Sequence, residues 1–273
     1  MASTTSKVIA GCAFGCLVLV LLGVATGWLG YRWVGSAIES IEAVGETEMA
    51  LEKAHGGIDD FVPPPTVPAA RLEAFLAVRE AMAPAREELI GPISVIVDAS
   101  QSSGGGLKVA RAGMQIGTRM VGFVGARNRA LLDNDMGRAE YTWIYWFAYM
   151  AWLGNPPADS LLHEALGEIN KDDGSVNMQV DVGSDPDSIT HQLRRDLVVM
   201  MRNLEGSLAS YPEHAEMAQA VRTELEAVAN DPGRVPWQDG LPHEFAVGLE
   251  PYRDRLLATY SRATNIFELV DFQ

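Results

Sequence analysis

Apolar residues recur at helical spacing along most of this chain, and in one place near its start they run together instead. From Val8 to Gly30, 23 residues pass without a charged side chain, and Leu17 to Leu22 is unbroken leucine and valine. At about 1.5 Å per residue such a helix covers the roughly 30 Å of hydrocarbon in a bilayer. Trp28, Tyr31, Arg32 and Trp33 stand at its far end, as an interfacial belt does. The pattern predicts a transmembrane anchor over 8–30 behind a short cytoplasmic N-terminus, residues 1–7. The competing reading is a cleaved signal peptide ending at Gly35-Ser36-Ala37. The run outlasts the roughly 7–15 apolar residues of such a peptide, which favours an uncleaved signal anchor.

Beyond the anchor the pattern predicts helices nearly throughout. Residues 31–57 read as a helical stalk, with Ile38, Ile41, Val44 and Met49 among glutamates, stopping at Gly56-Gly57. Residues 58–68 hold Pro63-Pro64-Pro65 and Pro68, which enforce extended backbone. They form a docking strap with Phe61 and Val62 as anchors, a spacer, or a ligand for a proline-recognising module. Residues 69–273 read as one helical domain. Its expected helices cover 71–82, 84–100 with an interruption at Gly91-Pro92, 107–132, 138–153, 158–169, 186–210, 212–230 and 250–269. Prolines mark the start of several: Pro84, Pro156-Pro157, Pro186, Pro212 and Pro251. Gly113 and Gly117 are spaced for close approach of a neighbouring helix. Ser175 to Val182 alternates with a strand period and has only Ile93 to Val97 as a candidate second strand, so an extended loop or small hairpin arm is expected. Asp231 to Phe245 reads as an ordered crossing held down by Trp237. The fold class is therefore mainly α: an N-terminal transmembrane helix followed by one extracytoplasmic multi-helix bundle domain.

The most unusual stretch is Glu140 to Leu153, with seven aromatic residues in the twelve positions from Tyr141 to Trp152. They cover every side of a helix, which is then either central in a bundle or bedded in lipid. The run is too short to span a bilayer. Three readings follow: a core helix whose phenols and indoles find internal partners, an interfacial seat on the membrane, or the wall of an apolar-ligand or lipid pocket. In the last, the candidate ligand-binding residues are Tyr141, Trp143, Tyr145, Trp146 and Trp152. Within the anchor, Gly11 with Gly15 and Gly23 with Gly27 form two GxxxG patterns. These are candidate packing sites for a homo-oligomer or for other envelope or membrane proteins.

Charge narrows the classes. The chain carries 21 basic and 36 acidic residues, a net −15. All the acids and 19 of the basic residues lie past Ala37, so that part carries −17. A nucleic-acid binder needs the opposite field, and anionic head groups would repel this surface. Lys7 and the free amino terminus on one side of the anchor, against Arg32 on the other, favour a cytoplasmic N-terminus. Cys12 and Cys16 are the two cysteines, both inside the anchor, which excludes a disulfide framework and a cysteine-built zinc site.

Catalytic motifs are missing. The five histidines, His55, His163, His191, His214 and His243, never fall three or four apart, so no helical HExxH site forms. Asp133 to Asp135 and Asp172 to Gly174 lack the ligand spacing of a calcium loop. Gly104 to Lys108 lacks the full phosphate-loop spacing, and no nucleophile elbow or dinucleotide fingerprint is present. No catalytic residue, metal or cofactor is assigned. An enzyme would need a site assembled from distant residues.

Phe61-Val-Pro-Pro64, Phe75-Leu-Ala-Val-Arg79 and Glu140-Tyr-Thr-Trp-Ile144, behind an N-terminal anchor, resemble a group of bacterial membrane-anchored helical proteins to which no activity is assigned. The resemblance implies a bacterial envelope setting and nothing catalytic; together with the anchor it leads to the expectation of a single pass through the bacterial inner membrane with the large domain periplasmic or extracytoplasmic. The expectation is a non-enzymatic, single-pass envelope protein whose acidic helical domain mediates protein–protein interaction.

Overall fold

The computed structural model describes residues 42–100, 106–155 and 186–269. The chain divides into two units, Met1–Gly45 and Glu46–Gln273. Of the first, residues 42–45 are described and are helical. The anchor expected over 8–30, with Gly11, Gly15, Gly23 and Gly27, lies outside the described residues, as do the helix expected over 158–169 and the alternating segment Ser175 to Val182. No helix among the described residues is long and apolar enough to cross a membrane.

The second unit is mainly helical, with no strand among the described residues. Helix α1 (46–55) ends where Gly56 turns left-handed at φ +76°, a conformation that costs glycine nothing. The extended segment that follows buries Pro63 and Val67. Asn203 donates its amide protons to the carbonyls of Asp59 and Phe61, at 3.0 and 2.9 Å. The extended backbone, which cannot satisfy itself, is thereby fixed. Helix α2 (Ala69–Ala81) starts where Pro68 leaves the extended region, and it buries Leu72, Phe75, Leu76 and Val78 completely. It packs against α3, α4, α5 and α9 introduced below, and so stands at the centre.

Helices α3 (Ala83–Ser100) and α4 (Gly106–Asp133) form the most extensively paired hairpin. The expected interruption at Gly91-Pro92 is absent, and Ile93 to Val97, the candidate strand, is helical. A proline inside a helix deprives the carbonyl four residues back of its N–H. Here that carbonyl, Glu88 O, accepts from the guanidinium of Arg119 across the hairpin, so an arginine stands in for the missing donor. Leu89, Ile93 and Ile96 meet a core that includes Ile116, Met120, Phe123 and Val124. Gly117, expected to admit a close neighbour, is exposed, and a Cβ there would meet nothing within 4 Å.

Helix α5 (Arg138–Tyr145) continues without a break as a π-helix, Trp146–Trp152, and stops at Gly154, φ +72°. The expected single α-helix over 138–153 thus has two windings. Helix α6 (Pro186–Leu208) returns through a 3₁₀ turn (Pro212–His214) into α7 (Ala215–Asn230). Arg194 donates to the α7 carbonyl of Val228 at 2.6 Å and to Arg234 O at 3.0 Å, satisfying acceptors that a helix end leaves open.

The last part departs most from expectation. One helix is expected over Glu250 to Leu269. After α8 (His243–Ala246) the chain instead forms a 3₁₀ turn (Glu250–Tyr252), α9 (Arg253–Thr259), an extended Tyr260, and the short α10 (Asn265–Glu268). No proline or glycine causes the break. At Thr259 the carbonyl is taken by Arg79 at 2.5 Å, and the turn beyond it carries Glu268 into the interior.

Candidate functional site on the aromatic helix

Tyr141, Tyr145 and Tyr149, four residues apart, stack with ring centroids 6.0 and 4.8 Å apart, and Phe75 of α2 packs against all three. Their hydroxyls are spent on the last elements of the chain. Tyr141 donates to Glu268 Oε2 at 2.9 Å, Tyr145 to Asn265 Oδ1 at 2.8 Å, and Tyr149 shares a 2.8 Å hydrogen bond with Thr259 Oγ1.

Below this row sits a buried ionic cluster. Glu268 Oε1 is 2.5 Å from Arg79 Nη1 and 3.1 Å from Arg86 Nε, and both Arg79 and Glu268 are fully enclosed. Arg127 donates to the backbone carbonyl of Glu268 at 3.0 Å. Three guanidiniums therefore converge on one carboxylate residue. The surplus positive charge is met by acceptors and π faces: Thr259 O and Tyr141 Oη take Arg79 protons, Arg79 O takes one from Arg86, and the rings of Tyr145 and Tyr149 lie 5.1 and 5.3 Å from the Arg79 guanidinium. Burial would depress Arg79, but Glu268 and the phenols outweigh it and hold the guanidinium firmly charged. Burial pushes Tyr141 and Tyr145 above the ordinary phenol range, with Arg79 opposing only in part. The phenols stay protonated donors, and this face is an enclosed lock between α2, α5 and α10.

The opposite face is apolar. Trp143 and Phe147 stack at 4.5 Å and meet Trp237 and Phe245 of the crossing loop. Trp146 donates its indole N–H to Pro236 O at 3.0 Å. Trp237 is held at φ +52°, unusual for a bulky residue. Its N–H goes to Glu224 Oε1 at 2.8 Å, while Glu224 receives two bonds from Arg234. Those bonds, with one to Asp239, raise Arg234 above its ordinary range. The loop thus has a polar anchor under its aromatic face.

Of the five predicted ligand-binding residues, Tyr141, Trp143 and Tyr145 are sealed in the interior. Trp152 is half-buried beneath Arg253, whose guanidinium lies 4.3 Å from its ring. Trp146 lines a cleft of about 340 Å³, with Met150 and Val235 beneath and Asn155, Gln238 and Asp239 at the rim. A second cleft of about 470 Å³ is lined by Glu48, Glu52, Asp59 and Asp196, with Arg138 ion-paired to Glu48. Among the described residues no group of three or more His, Cys, Asp or Glu is placed to hold a metal ion. Glu140, at the start of the aromatic stretch, is paired with Arg71 of α2, which grips both its oxygens at 2.6 Å.

Sequence reasoning passes over Arg79, Arg86, Arg127 and Glu268. One signal was available: Leu72, Phe75, Leu76 and Arg79 follow the i, i+3, i+4, i+7 spacing of a buried stripe, so Arg79 sits where a core residue belongs. No family model, no curated protein and no solved structure matches the chain.

Proposed function

We propose that this protein is a non-enzymatic, single-pass membrane protein whose acidic helical domain, presented outside the cytoplasm of a bacterial cell, binds other proteins. The observation that carries the reading is the enclosure of the aromatic helix. Its tyrosines and Trp143 are spent on the interior, which leaves an acid-dominated surface as the chemistry offered to a partner. Side chains such as Asp135, Glu250 and Asp239 are 93%, 65% and 72% exposed, and the sequence past Ala37 carries −17. Such a field steers a basic protein face and repels nucleic acid and anionic lipid.

The test is a crosslinked pull-down of the full-length protein from its native membranes, read by mass spectrometry at low and high salt. The expected result is a stoichiometric protein partner with a basic face whose yield falls as salt rises. Recovery of the protein alone at both salt concentrations would overturn the reading. A reporter fused after Gln273 tests sidedness separately: activity in the cytoplasm contradicts the envelope setting.

A further inference from the structure

The cleft beside Trp146 joins three features that arise independently. Its wall is the π-wound turn Trp146–Trp152, a winding less stable than the α form and frequent at functional sites. Its opposite side is the loop that holds Trp237 at φ +52°, strain of the kind that persists where a site needs a set backbone. Between them lies an opening of about 340 Å³, within the size range of small-molecule pockets.

The lining has a readable chemistry. Trp146, Met150 and Val235 are all 6% exposed or less, which makes an apolar floor for a flat ring. At the rim, Asn155 donates one amide proton to Tyr149 O at 3.0 Å and keeps its oxygen as an acceptor. Gln238 does the reverse: its oxygen takes the Val235 N–H at 3.3 Å, and its amide protons remain as donors. Asp239 adds a carboxylate. Arg234, the nearby cation, is taken up by Glu224 and by Asp239 at 2.5 Å, so among the described lining residues no cation is left for an anionic ligand. An acceptor, a donor and a carboxylate above a flat apolar floor complement a primary amide on an aromatic ring, whose N–H groups and carbonyl are side by side.

We propose that the cleft between the π-helix and the Arg234–Asp239 loop is a binding site for a small, uncharged, planar aromatic amide. The ring lies on Trp146, Met150 and Val235, the ligand N–H groups reach Asn155 and Asp239, and its carbonyl accepts from Gln238. This site goes beyond the proposed function and requires no protein partner, although Asp239 belongs both to its rim and to the acidic surface.

The test uses benzamide and benzoate, which share a ring and differ in the group at the rim. Each is titrated against the full chain in mild detergent and followed by ligand-observed NMR, with empty micelles as the blank. Benzamide is expected to saturate with a Kd of about 1 mM, typical of a fragment of this size, and benzoate to show no saturable binding. Val235→Phe, which fills the floor, and Gln238→Ala, which removes the rim donor, should each weaken benzamide by about tenfold or more. Thermal unfolding checks that each variant folds. If Val235→Phe does not fold, the exposed-rim variant Gln238→Ala decides. Absence of benzamide saturation, equal binding of benzoate, or binding indifferent to the folded variants would overturn the site.

Discussion

Arg79 occupies a position that the rest of its helix reserves for apolar side chains, and every partner it has comes from distant sequence except Arg86. Glu268, 189 residues further on, is the anion that makes its burial tolerable. Breaking such a pair from one side leaves a charge without solvent or counter-ion and costs about 3–5 kcal/mol. Glu268→Ala is therefore expected to lower unfolding stability by about that amount in urea titrations, although it removes a single side chain near the end of the chain. Arg79→Met and Arg86→Met combined with Glu268→Leu should recover much of the loss, because both cations paired to that carboxylate leave with it. If the triple substitution is as damaging as the single one, the cluster owes its effect to packing alone. The arginine was legible as an anomaly in the stripe Leu72, Phe75, Leu76, Arg79. Its partner was not, because pairing over such a separation depends on a chain turn after Thr259 that no local residue type announces.

At the scale of elements, helix periodicity located most bodies well, and the errors lie where tertiary contacts override a local rule. Gly91-Pro92 is a breaker by propensity, yet α3 runs through it because Arg119 donates to the Glu88 carbonyl that Pro92 cannot serve. Past Pro251, Tyr252 to Leu269 contains no breaker, yet it breaks, because Arg79 takes the Thr259 carbonyl and the core takes Glu268. Both departures are made by arginines acting on backbone oxygens, a role invisible to hydrophobic patterning. The first can be tested by a double-mutant cycle. Arg119→Ala leaves the exposed Glu88 carbonyl to water in place of its protein donor and should cost about 0.5–1 kcal/mol. In a Pro92→Ala background residue 92 regains an N–H that reaches the same carbonyl, so Arg119→Ala should then cost only a few tenths of a kcal/mol. Equal costs in the two backgrounds, measured by urea unfolding, would separate Arg119 from Pro92. The aromatic helix is the intermediate case: the sequence showed that apolar groups surround it, while its change to π winding at Trp146 has no marker in residue type.

For the molecule as a whole, the mainly α class and the helical bundle were legible because the helices other than the aromatic one segregate apolar from charged residues on opposite faces. The acid excess of the exterior could simply be counted. What the whole molecule adds is an interior with its own ionisation behaviour. Tyr141 and Tyr145 are fully buried beside Glu268, and burial raises both phenols above their usual value near 10. The sign follows from linkage. Between the unfolded and the folded phenol values the unfolded chain has lost protons that the folded chain keeps, so stability falls as pH rises. Their contribution is complete below about pH 10 and is lost progressively above it, at up to about 1.4 kcal/mol per pH unit for each phenol. From pH 10 to 11.5 the urea midpoint should therefore fall at a nearly constant slope m. Tyr141→Phe starts from lower stability at pH 9, having lost the bond to Glu268 and the acceptor for Arg79, but should lose only about half as much over the same interval. An alkaline decline as steep in Tyr141→Phe as in the wild type would place the titrating groups elsewhere. A decline halved by that substitution identifies the enclosed face of the aromatic helix as the part of the molecule that high pH attacks first.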